Sequence, residues 1–242
     1  AITKVRGSEV IKDVSDEAIQ IFGGMGYSAE SIVEPAYRDA RISRIYEGTN
    51  EINRMLIVGM FIKKGLKKEL KLFEKAKKSG KELTSIISFF KKEKMSGFLG
   101  EEKQSIKNIK KLILILLGKS AQVFKKEFEK EQEVMLNIAD MIIELYMAES
   151  AILRVEKLKS LHPEKNHETT VLMAKSYLYQ LINTCRKSGH EIIQSIPLKG
   201  IEKKIFINGL NRFAKQKNYN IKEFRRKIAD DLIKNKKYNY HI

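Results

Sequence analysis

Three short stretches near the start of the chain contain the residue types best suited to chemistry. They are QIFGGMGY at 20–27, YRDAR at 37–41 and IYEGTNEI at 45–52. They contain carboxylates such as Glu47, arginines, and glycines whose backbone is free to form tight turns. Taken alone, each stretch also has a plain structural explanation: a helix end, a surface ion-pair set, and a helix start.

Helices must position these stretches. Apolar residues recur every three to five positions over residues 1–22, which predicts an amphipathic helix that ends at Gly23-Gly24. A second helix is predicted from near residue 29, with Ser28 as its N-cap, or from Pro35, and it ends near residue 46. Thr49 or Asn50 then caps a third helix over residues 51–66 whose inward face includes Ile52, Met55 and Leu56, with Val58 or Gly59. The glycine loop is not a dinucleotide fingerprint, since no strand precedes it.

The remainder of the chain also has helical periodicity. Helices are predicted at about 101–130, 132–161, 167–189, 200–216 and 221–234, and no segment alternates like a strand, so the fold class is all-α. Residues 63–82 are Lys-rich with weak periodicity and are interpreted as a linker or a frayed helix end. Residues 84–92 form a short amphipathic piece. Its Ile86-Ile87 and Phe89-Phe90 pairs, flanked by lysines, make it a candidate for peripheral membrane contact.

Composition limits the other functions. The 242 residues have a net charge of +17, divided into −2 for residues 1–62 and +19 for the rest, and the excess is interpreted as a solvated lysine-rich surface. The longest apolar run, 112–117, is far too short for a transmembrane helix. No nucleic-acid partner is expected, and the histidine spacing predicts no metal site. The single cysteine, Cys185, is expected to be a buried small hydrophobe in a cytoplasmic protein.

The conjunction of the three stretches, in order and spacing, resembles the acyl-CoA dehydrogenase family of flavoproteins. The resemblance covers residues 1–62, where it is specific. The remainder is similar in layout to the extra helical C-terminal domain of very-long-chain-type members. The implied fold is the C-terminal helices of the family's four-helix bundle over residues 1–66, then a Lys-rich linker or short amphipathic helix over 67–99, and a further helical bundle over 100–242.

The resemblance implies a specific reaction and specific residues. Members desaturate the Cα–Cβ bond of an acyl-CoA thioester: a carboxylate removes the α-proton, and the β-hydrogen passes to FAD as hydride. Glu47 corresponds to that carboxylate in many members, and Gly48 to the residue beside the thioester. An ordinary glutamate is too weak a base, so apolar surroundings are expected around the carboxylate.

The cofactor contacts implied by the resemblance fall into two groups. Thr49, Asn50 and Glu51 correspond to residues that line FAD at a helix start. Gln20, Gly23 and Gly24 correspond to a stretch that contacts the FAD of a neighbouring subunit, which implies a homo-oligomer of at least two chains. Electron-transfer flavoprotein is the implied electron acceptor.

The family also has an N-terminal helical domain and a β-barrel that this sequence does not contain. We therefore expect these 242 residues to be a piece of a longer polypeptide and not to form a complete active site alone. The alternative function is a non-catalytic helical module for dimerisation or for docking to a membrane or partner.

Overall fold

The computed structural model describes residues 1–84 and 95–240, and over these ranges it is helical with no strand. The all-α prediction is confirmed. The chain divides into two compact units, Ala1–Leu70 and Lys71–Ile242. Apart from Thr84, the predicted amphipathic piece at 84–92, with its Ile and Phe pairs, lies outside the described residues, and so does His241. Within the described ranges no helix combines the length and apolar character needed to cross a membrane.

The first unit contains three helices, α1 (Ile2–Phe22), α2 (Glu34–Ile42) and α3 (Asn50–Leu66). A 3-10 turn, Gly23–Tyr27, follows α1, and both α2 and α3 pack on α1. Pro35 lies in the first turn of α2, as one of the two sequence alternatives predicts. The other alternative, a start near residue 29 capped by Ser28, is wrong, because residues 29–33 form turns.

The buried face of this unit differs from the predicted one. Val58 of α3 is buried as predicted, but Ile52 and Leu56 are more than half exposed. Four polar side chains are also buried in this unit: Ser8, Ser15, Asn50 and Asn53. They equal in number its buried hydrophobic residues, which are Val5, Ala40, Ile57 and Val58. Several large apolar side chains of α1 and α3 are instead exposed.

The second unit is a bundle built around three long helices, α5 (Gly100–Phe124), α6 (Gln132–Leu161) and α7 (Glu168–Ser195). Helices α4 (Leu72–Thr84), α8 (Gly200–Phe213) and α9 (Ile221–Asn235) pack around them, and a 3-10 turn, Lys125–Lys130, joins α5 to α6. Fully buried Ile, Leu and Met side chains from the three long helices form the core: Ile109, Leu112, Leu116, Leu117, Ile138, Met141, Ile143, Ile152, Leu178, Leu181, Ile182 and Ile192.

Two sequence interpretations for this unit need correction. Residues 72–84 form helix α4, so the linker alternative does not hold there, and a short helix is the other alternative given for 67–99. Helix α4 buries Leu72, Ala76 and Ser79 and packs on α5 and α8. The break predicted at Ser188-Gly189 is absent, because α7 continues to Ser195 and the missing Cβ of Gly189 makes room for Leu210.

Cys185 is fully buried in α7, and desolvation raises the pKa of its thiol. The prediction that it acts as a small hydrophobe is confirmed.

The contact between α4 and α5 gives a stability prediction. A Cβ on Gly118 would lie 2.7 Å from the Cβ of Ala76, and neither atom is the end of a flexible side chain. We expect Gly118→Ala to lower the free energy of unfolding by about 1–3 kcal/mol, measured by urea unfolding followed by circular dichroism. Gly80→Ala in α4 is the matched control: its Cβ would meet no atom within 4 Å, so stability should rise by about 0.4–1 kcal/mol. Equal stability of the two variants would contradict this packing.

Candidate functional site

The turn before α3 has an unusual backbone conformation. Glu47 and Gly48 both have positive φ, at 55° and 78°. This left-handed region is open to glycine but costs another residue about 1–2 kcal/mol, so Glu47 must be held there by its surroundings. The backbone N–H of Asn50 donates to the carbonyl of Arg44 at 3.1 Å and closes the turn. Strained residues of this kind cluster at functional sites.

The side chain of Asn53 holds the turn from the α3 side. Its Nδ2 lies 2.8 Å from the carbonyl oxygen of Gly48, 3.1 Å from that of Thr49 and 3.4 Å from that of Glu47. An amide nitrogen has two hydrogens, so these acceptors share them. A Cβ at Gly48 would lie 3.1 Å from the same nitrogen, so a side chain there would crowd the Asn53 amide, and the positive φ also favours glycine.

Helix α1 holds the turn from the opposite side. Lys4 Nζ donates to the Gly48 carbonyl at 2.8 Å and to Asn50 Oδ1 at 2.9 Å. Asn50 and Ser8 are both buried and exchange hydrogen bonds of 2.9–3.1 Å. A buried amide and hydroxyl stabilise a structure when they satisfy one another, and here they fix α3 against α1.

The start of α3 is capped by side chains. Thr49 is the N-cap, as one of the two sequence alternatives predicts, and its Oγ1 accepts from the Ile52 backbone N–H at 3.2 Å. Hydrogen bonds from its own backbone amide, and then from Thr49, lower the pKa of Glu51. Both Glu47 and Glu51 are exposed, so the apolar surroundings expected around the Glu47 carboxylate are absent from the described residues.

An open groove of about 320 Å³ lies beside this helix start. It is lined by α1, the end of α2 and the first turn of α3, and its charged side chains are five cations (Arg6, Lys12, Arg41, Arg44, Arg54) and three acids (Glu9, Asp13, Glu51). Arg54 pairs with Glu9 at 2.6 Å. The groove carries an excess of positive charge. Within the ranges described, no group of three or more His, Cys, Asp and Glu side chains is arranged to hold a metal ion.

The glycine loop lies at the other end of α1. Gln20, Gly23 and Gly24 are all exposed, and the Gly23 N–H caps the helix through the Gln20 carbonyl. Ser8 contacts Asn50, and Gln20 is twelve residues further along the same helix, a rise of about 18 Å. The predicted residues therefore form two separate clusters, Glu47–Glu51 and Gln20–Gly24.

The glycines of this loop differ in whether the fold requires glycine at their positions. A Cβ on Gly26 would lie 2.7 Å from the Ile19 carbonyl oxygen, so the chain itself requires that glycine. Gly23 has φ 62°, which also favours glycine. Gly24 has neither a positive φ nor an atom within 4 Å of its missing Cβ, so nothing in this chain requires glycine there.

Sequence reasoning missed the three residues that hold the turn: Lys4, Ser8 and Asn53. A usable signal exists, since Lys4 and Ser8 are four apart and Asn50 and Asn53 three apart, which puts each pair on one helix face. Asn50, predicted to line a cofactor, lies inside the unit, with both its side chain and its backbone N–H bonded to other parts of the same unit.

Comparison with known proteins gives one consistent result. Two family models described as acyl-CoA dehydrogenase, C-terminal domain, match residues 1–60 and 108–212. A probable acyl-CoA dehydrogenase from Bacillus subtilis (strain 168) is 35% identical over 238 residues, which is 98% of this chain and 39% of that protein. A crystal structure of an acyl-CoA dehydrogenase complexed with FAD from Bacillus anthracis matches with a TM-score of 0.91 at 34% identity, covering 100% of this chain and 40% of that one.

The chain belongs to the acyl-CoA dehydrogenase family. It matches the C-terminal part of family members and spans about two fifths of the length of the two Bacillus relatives.

The relatives differ in how much of this chain they match. The human short-chain specific acyl-CoA dehydrogenase is 51% identical, but over 63 residues, 26% of this chain and 15% of that enzyme. The bovine very long-chain specific acyl-CoA dehydrogenase is 32% identical over 187 residues, 69% of this chain and 28% of that enzyme. The very-long-chain resemblance is therefore supported in part, because its alignment extends beyond the first unit of this acyl-CoA dehydrogenase chain.

Proposed function

We propose that this chain supplies the C-terminal helices of an FAD-dependent acyl-CoA dehydrogenase that desaturates a fatty acyl-CoA between Cα and Cβ, with Glu47 as the base. The observation that carries the proposal is the Glu47–Gly48 turn. It combines a carboxylate in a left-handed conformation, an adjacent glycine and a fixed helix start.

The turn can present a carboxylate to a ligand without moving. The carbonyl groups of the turn accept hydrogen bonds from Asn53 and Lys4. The Glu47 side chain is not used to hold the turn and is exposed. Gly48 has no side chain to block the approach of a thioester. Glu47 would accept the α-proton, and bound FAD supplies the acceptor for the β-hydrogen.

A base of this kind needs a water-poor setting, which other parts of the enzyme would provide. The first unit leaves apolar stripes exposed on α1 (Ile11, Val14 and Ile21) and on α3 (Ile52, Leu56 and Leu66). Exposed apolar surface on this scale is typical of an interface. We propose that further helices of the catalytic bundle cover these stripes, so that the chain is incomplete as an active site by itself.

The residues present are suited to FAD. Gly24 leaves open space at a position where the chain does not require glycine, so its backbone is accessible to a flat or phosphorylated group. Thr49 and Glu51 lie at the first turn of α3, where helix N–H groups and a positive dipole favour cofactor oxygens. In this proposal Thr49 and Glu51 line one FAD, and Gln20, Gly23 and Gly24 approach another.

The two clusters lie about 18 Å apart along α1, and the resemblance assigns them to two different FAD molecules, which is the basis for a shared-cofactor oligomer. Two copies would each contribute the α3 start to one FAD and the glycine loop to the other. The resemblance to the family remains the basis for electron-transfer flavoprotein as acceptor and for a cytoplasmic location.

The role of Glu47 is tested by Glu47→Gln in the full-length protein. The amide has the same shape but cannot accept the proton, so flavin bleaching by acyl-CoA should fall by at least about 100-fold. FAD content, read from visible absorbance, should be unchanged. Retained bleaching would remove Glu47 from the role of base.

The cofactor role of the glycine loop is tested by Gly24→Ala beside Gly26→Ala. We expect Gly24→Ala to leave the apoprotein at least as stable as wild type, as for Gly80→Ala, and to lower FAD occupancy at equal free FAD, because the added methyl group would occupy space proposed for the cofactor. Gly26→Ala should destabilise the fold by about 1–3 kcal/mol through its contact with the Ile19 carbonyl. Normal FAD affinity in Gly24→Ala would contradict the role proposed for this loop.

A further inference from the structure

We infer that the side-chain amide of Asn53 is a positioning group for the base. It holds the Glu47–Gly48 turn in its left-handed conformation and thereby fixes where the Glu47 carboxylate is presented. The inference rests on the proposed function and adds a residue to it that no sequence motif indicated.

Three successive carbonyl oxygens, those of Glu47, Gly48 and Thr49, converge on the Asn53 side chain and lie within 3.4 Å of its Nδ2. The first two belong to the residues with positive φ, so their contacts with the amide restrain the left-handed conformation. The amide therefore contacts the strained residues themselves and not only its own helix.

The Asn53 amide is itself held in place by the surrounding structure. Asn53 is buried, lies one turn into α3, and points at the segment that precedes its own helix. Helix α3 is fixed to α1 through the hydrogen bonds between Asn50 and Ser8 and through the ion pair of Arg54 with Glu9. The turn is thus held relative to a packed helix pair.

Removal of the Asn53 amide would leave the Glu47–Gly48 turn less restrained. A glutamate prefers negative φ, so without its hydrogen bonds the turn can relax and carry the Glu47 Cβ to a new direction. Reacting groups lose rate steeply when misplaced by about 1 Å. Substrate binding, which depends on other contacts, would change little.

The test uses Asn53→Leu in the full-length, FAD-loaded protein, because leucine keeps the approximate shape and removes the donor. At saturating acyl-CoA we expect the limiting rate of flavin bleaching to fall by about 10- to 100-fold, with the acyl-CoA concentration for half-saturation within about threefold of wild type. The kinetic isotope effect with α-deuterated acyl-CoA should rise, because proton removal becomes more strongly rate-limiting. Asn211→Leu, at an exposed position of α8, is the matched control and should behave as wild type.

A second variant, Lys4→Met, tests the same turn in case Asn53→Leu does not fold. It removes the Nζ donor to the Gly48 carbonyl from a partly exposed position, and it should lower the limiting rate by a smaller factor with the same rise in isotope effect. A wild-type bleaching rate in flavin-loaded Asn53→Leu, or a lower rate with an unchanged isotope effect, would overturn the positioning role. The test separates the two proposals: if Glu47→Gln still bleaches, the base assignment fails, whereas if only Asn53→Leu behaves as wild type, the positioning role fails alone.

Discussion

The constraint on which the first unit depends is the left-handed turn at Glu47–Gly48. Holding a glutamate at positive φ costs about 1–2 kcal/mol, and single hydrogen bonds contribute about 1 kcal/mol each, so several are needed to offset it. The contact between α1 and α3 supplies them through Lys4, Ser8, Asn50 and Asn53. This explains why polar side chains are buried beside the hydrophobic ones in this unit. Large apolar side chains of α1 and α3 remain exposed.

Sequence reasoning located the long helices well. Apolar side chains recur along the whole of α6, which matches its predicted range of 132–161. It was less successful at the inward face of α3, because periodicity assigns apolar side chains to the interior, whereas Asn50 and Asn53 are buried there beside Val58 and Ile52 is exposed. For 67–99 it left a linker and a short helix as alternatives, and the structure has helix α4.

For the candidate site, motif reasoning located the segments and local chemistry located Thr49 as the cap. The partners Lys4 and Ser8 lie more than forty residues away in sequence from the residues they contact, so only the fold joins them. The glycine loop shows the opposite case. Three glycines look equivalent in sequence, and the structure distinguishes one required by contact, one favoured by φ, and one that the chain does not require.

The most direct measurement is a crystal structure of the full-length protein with FAD and an unreactive acyl-CoA analogue. The account predicts a Glu47 carboxylate oxygen about 3–3.5 Å from the α-carbon of the bound acyl group, with the turn still left-handed. A different carboxylate at that distance, with Glu47 directed away from the acyl group, would contradict it.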